Sequence, residues 1–67
     1  MVGDPLRNRE VIFEIAPFGN VVRVVAIDTQ TMTEVSIQVP PNTPQPMMKS
    51  SALKRLEYVL RKKGIIQ

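Results

Sequence analysis

The stretch Val39-Pro40-Pro41-Asn42-Thr43-Pro44-Gln45-Pro46 divides the chain into two kinds of sequence. Proline locks φ, lacks an N–H and biases the residue before it toward extended backbone. Four of the six prolines fall in this joint, so no single regular element runs through it. β-Branched runs precede it and a basic amphipathic run follows it. The expected order is three strands and then a helix.

Upstream of the joint, Glu10 to Ala16 reads as a first strand. Val11, Phe13 and Ile15 alternate with Ile12, Glu14 and Ala16, the period-two pattern of a pleated strand. Pro17-Phe18-Gly19-Asn20 reads as a turn. Val21 to Ile27 is a second strand, apolar on both faces, with Val22, Val24 and Ala26 on one side and Val21, Arg23, Val25 and Ile27 on the other. Such a strand suits the centre of a meander. Asp28-Thr29-Gln30-Thr31 is the next turn and Met32 to Val39 the third strand, where Val35, Ile37 and Val39 oppose Glu34, Ser36 and Gln38.

Downstream, Met48, Ala52, Leu53, Leu56, Val59 and Leu60 share one helical face, which predicts a helix near Pro46 to Lys63. Its cap is either Thr43, with Pro44 in the first helical position, or Ser50 or Ser51 of a shorter helix. Gly64 suits the position after the last turn, with Ile65 reaching back to Leu60 in a Schellman ending. The fold class expected is α+β: a three-stranded antiparallel β-meander with one C-terminal helix on one face. The core then comprises Val11, Phe13, Ile15, Val22, Val24, Val35, Ile37 and Val39 under Leu53, Leu56, Val59 and Leu60. Residues 1–8 are expected to be a flexible tail and residues 9–67 a single small domain.

Composition narrows the chemistry. Sixty-seven residues bury a thin core, and small domains without staples often gain stability by oligomerising. The chain has no cysteine and no histidine, so disulfides, thiolate and imidazole metal ligands and the usual nucleophile–base pairs are missing. Gly3, Gly19 and Gly64 are isolated and form no phosphate-binding loop. Ser50 and Ser51 lie beside Lys49 and Lys54, a setting that helix capping explains better than catalysis. A non-enzyme is expected, with no cofactor, metal or small-molecule substrate. Met1 to Asn8 has no apolar core of a signal peptide, and no apolar run is long enough to span a bilayer, so a cytoplasmic location is expected.

One helix covers one face of a three-stranded sheet. The other face should be polar if solvated, yet it carries Ile12, Val21, Val25 and Ile27, extended by Met32. β-Branched residues suit half-exposed strands for local reasons; the functional reading is a docking surface for a second copy, as a homodimer, or for another protein. If Asn20 ends a four-residue turn, Glu14 lies opposite Arg23 with Glu34 nearby, an ion-pair row contributing roughly 0.2–1 kcal/mol per pair. Acid–base catalysis by the two carboxylates is disfavoured, because the arginine holds both ionised.

The net charge is +3, and its surplus is local to the last third of the chain. Lys54, Arg55, Arg61, Lys62 and Lys63 form a basic helical surface that offers an alternative function, weak nucleic-acid binding. Cations in a last helical turn also complement the macrodipole. Stacking aromatics are few: Phe13 is expected to be buried, Phe18 to sit at a turn tip and Tyr58 to stand alone.

The run Arg9-Glu10-Val11-Ile12-Phe13-Glu14-Ile15, the turn Pro17-Phe18-Gly19-Asn20 and the helix Ala52-Leu53-Lys54-Arg55-Leu56-Glu57-Tyr58-Val59-Leu60 resemble small uncharacterised proteins of alphaproteobacteria that contain a domain of unknown function. The resemblance implies a bacterial cytoplasmic protein and supplies no catalytic residues.

Overall fold

The structure, a computed structural model, describes residues 6–67. Strand β1 spans Val11–Phe18, β2 Val21–Asp28 and β3 Thr33–Val39, and helix α1 spans Gln45–Lys62. The strands form one antiparallel sheet in the order β1-β2-β3. The expected β-β-β-α architecture is the one observed.

The first hairpin is tighter than the sequence reading placed it. Phe18 pairs with Val21, so only Gly19 and Asn20 form the turn, and Pro17 and Phe18 belong to β1. Gly19 has φ 63, the left-handed first position of a type II′ turn, which glycine alone adopts without strain. Residues flanking a two-residue turn exchange backbone hydrogen bonds, and the alternation then puts Pro17, opposite Val22, at a non-hydrogen-bonded site. The Thr29 N–H donates to the Glu10 carbonyl at 3.2 Å, in phase with that alternation. The missing N–H of Pro17 therefore faces the open edge and costs the ladder nothing.

The second hairpin closes at Asp28 and Thr33 around residues 29–32. Met32, expected to begin β3, is a loop residue with φ 56 and is 73% exposed. A left-handed methionine costs about 1 kcal/mol relative to glycine.

Helix α1 starts early. Pro44 is its N-cap with extended backbone, and its carbonyl accepts from the Met47 and Met48 N–H groups. No side chain caps this end, so neither Thr43 nor Ser50 or Ser51 serves as cap. The other end follows expectation: Ile65 N–H donates to the Leu60 carbonyl at 2.9 Å and Gly64 N–H to that of Arg61 at 3.0 Å, with Gly64 at φ 76. This is a Schellman ending.

Met48, Ala52, Leu56 and Leu60 recur every fourth residue and are buried against Val24, Ala26 and Val35. The helix packs chiefly over β2 and β3. Val11, Phe13 and Ile15, on the helix side of β1, are accordingly half-buried rather than fully enclosed. Leu6 joins the core, and its carbonyl accepts from Arg9 N–H in a turn ahead of β1. That part of the expected tail is packed; residues 1–5 lie outside the described residues.

Candidate interaction surface

The pairing register lays out the sheet face opposite α1 as a grid. Phe18 lies beside Val21; Ala16, Arg23 and Gln38 form the next row; Glu14, Val25 and Ser36 the third; Ile12, Ile27 and Glu34 the fourth. The apolar side chains thus reach both ends of the face. Ile12 is 47% exposed and Phe18 53%, with Val21 and Ile27 half-buried between strands. Val25, at the centre, is only 7% exposed although it stands apart from the main core cluster. The stripe's solvent-facing area comes from its ends rather than its middle.

The ion-pair row is a correction. The two-residue turn shifts the register by two, so Glu14 faces Val25, and Arg23 lies between Ala16 and Gln38. Glu34 pairs with Ile27, two rows from Arg23. No salt bridge joins these three charges among the described residues. Arg23 instead lies over the Phe18 ring, 6.0 Å from its centroid, at the outer reach of a cation–π contact. Phe18 belongs to this face rather than to a turn tip, and the Gly19-Asn20 dipeptide is the sequence signal for the two-residue turn that puts it there.

A buried polar corner closes the helix side of the sheet at the other end of β2. The Asp28 carboxylate is fully buried; its Oδ2 accepts from Arg9 at 2.9 Å, from the Thr31 hydroxyl at 2.6 Å and from the Thr31 N–H at 3.2 Å. The Thr31 hydroxyl proton is committed to Asp28, so the Thr33 hydroxyl, 2.7 Å away, donates to Thr31. Burial alone pushes the Asp28 carboxyl up, but the Thr31 hydroxyl, Arg9 and the Thr31 amide outweigh it and hold it below the ordinary aspartate value. A carboxylate so stabilised is a weak base, and the cluster reads as a clasp between the segment before β1 and the β2–β3 loop.

The basic residues of α1 are exposed. Arg55 and Lys62 lie over the Tyr58 ring, 5.3 and 5.9 Å from its centroid, and Tyr58, Arg61 and Lys62 line a shallow open depression. Arg61 also pairs with Glu57 at 2.8 Å and donates to the Gln67 carbonyl at 3.0 Å. Lys54, in the middle of the helix, and Lys63, its C-cap, are exposed as well. Phe13, half-buried, has the Lys49 ammonium 5.7 Å from its centroid.

Among the described residues no group of three carboxylates, histidines or cysteines could hold a metal ion, and no helix is long and apolar enough to cross a membrane. No curated protein and no solved structure matches the chain. Residues 8–63, which hold all four secondary-structure elements, match the domain of unknown function DUF6898. The chain belongs to that family.

Proposed function

We propose that this domain is a non-catalytic self-association module whose uncovered sheet face docks on a second copy. The observation that carries the reading is the one-sided cover: α1 packs on one face, while Ile12 and Phe18 remain about half exposed on the other. Charge complementarity favours a second copy. A two-fold axis across the strands, between the Arg23 and Val25 rows, sets Arg23 of each copy over Val25 and beside Glu14 of the other. The same operation leaves Arg23 one row, about 7 Å along the strand, from its own image, farther than Glu14 of the other copy one strand away.

The contact is small. Three strands about 4.8 Å apart and eight residues long present roughly 400 Å² of sheet, against about 800 Å² per partner in an ordinary stable interface. The dimer is therefore weak. A bacterial cytoplasmic setting, resting on the resemblance to alphaproteobacterial proteins, is part of the same proposal. The test is light scattering on the wild type and on Ile12→Lys and Phe18→Lys. Both variants alter exposed side chains, so both should keep the wild-type thermal transition while losing concentration-dependent mass. Equal masses for variants and wild type would overturn the reading.

A further inference from the structure

Charge is segregated along the chain. From Gln45 to Lys63 the chain carries Lys49, Lys54, Arg55, Arg61, Lys62 and Lys63 against Glu57, a balance of 6 − 1 = +5. The remainder carries Arg7, Arg9 and Arg23 against Asp4, Glu10, Glu14, Asp28 and Glu34, a balance of 3 − 5 = −2. The modest net charge of +3 hides a helix that is strongly basic. Macrodipole complementarity accounts for cations in the last turn only; Lys49, Lys54 and Arg55 lie ahead of it.

Within this field stands an aromatic ring. Lys54, Tyr58, Arg61 and Lys62 recur at i, i+4, i+7 and i+8, one stripe on the side away from Met48, Ala52, Leu56 and Leu60. Tyr58 is 52% exposed, has no side-chain hydrogen bond among the described residues, and contributes to the shallow depression with Arg61 and Lys62. An aromatic face supplies a stacking platform, and flexible cations around it supply phosphate contacts. The Arg55 and Lys62 side chains that cover the ring in the free protein can turn to phosphates when a base takes their place.

We propose that this stripe, with the neighbouring Arg55, binds single-stranded nucleic acid, a base stacked on Tyr58 and backbone phosphates held by Arg55, Lys62 and Lys54. An exposed aromatic among cations favours a single strand over a duplex, whose bases are already stacked. The site lies on the opposite layer from the sheet face and does not rest on the self-association reading.

The chain provides its own reporter, since Tyr58 is the one tyrosine and there is no tryptophan. The experiment titrates the whole protein with a single-stranded oligothymidylate at low salt, following tyrosine emission and the anisotropy of a labelled strand. Binding should quench the emission and weaken steeply with salt. Tyr58→Ala should weaken binding, read by anisotropy, by roughly 5- to 150-fold, the range expected for one stacked base, and Tyr58→Phe should bind like the wild type. A duplex or heparin should bind without the quench. Oligothymidylate binding that leaves emission unchanged, or that survives Tyr58→Ala intact, would overturn the proposal, as would no binding at low salt. Ile12→Lys should bind like the wild type, which separates this result from the outcome at the sheet face.

Discussion

Replacing Asp28 by asparagine tests the clasp that joins the chain before β1 to the β2–β3 loop. The asparagine fills nearly the same volume but removes the charge that Arg9 and Thr31 address at 2.9 and 2.6 Å. Arg9 is then a mostly buried cation without a counterion, its side chain 14% exposed. Hydrogen bonds to charged groups contribute about 1.5–3 kcal/mol each, and breaking one partner of a buried pair costs about 3–5 kcal/mol. Allowing for the amide's residual bonding, the expected loss is about 2–4 kcal/mol. A chain this small has roughly 3–10 kcal/mol of total stability, so the variant should be visibly destabilised in urea.

The same group sets part of the acid limb. Its folded-state pKa lies below the unfolded one, so its contribution is complete above about pH 4 and is lost as pH falls through the folded value. Urea midpoints measured from neutral pH down to strong acid should therefore fall steeply for the wild type. Asp28→Asn should start lower and fall less. A variant as stable as the wild type at neutral pH, or one with an identical acid limb, would refute the assignment.

Met32→Gly should raise stability by about 0.5–1 kcal/mol, since it relieves a left-handed methionine at an exposed loop position; a lower thermal midpoint would contradict this. Gly64→Ala should cost about 1 kcal/mol in urea titration, because Gly64 has φ 76 in the Schellman ending. Gln45→Glu should stabilise by about 0.3–1 kcal/mol, an effect that high salt removes, because the first turn of α1 carries no acid. Leu56→Ala should cost about 2–5 kcal/mol, as Leu56 is fully buried at the centre of the core stripe.

The element order was legible because the proline joint separates two periodicities, and the helix ending because Gly64 follows the last apolar position. The register was not. Pro17 reads as a turn former, yet an edge strand tolerates proline wherever its N–H would face outward. A four-residue turn would set Glu14 opposite Arg23; the two-residue turn sets it opposite Val25, and the ion-pair row is lost. Leu6 gave no signal because one apolar residue has no period. The Arg9–Asp28 pair spans 19 residues and left no local trace either. On the candidate surface the apolar character was readable, but its distribution was not: Val25 is enclosed within the single chain, and Phe18 carries exposed area instead.

Sedimentation equilibrium of the wild-type chain, from micromolar to millimolar concentration, addresses the central claim directly. The account predicts a reversible monomer–dimer equilibrium that shifts toward monomer in Ile12→Lys. A single monomeric mass across the whole range would contradict it.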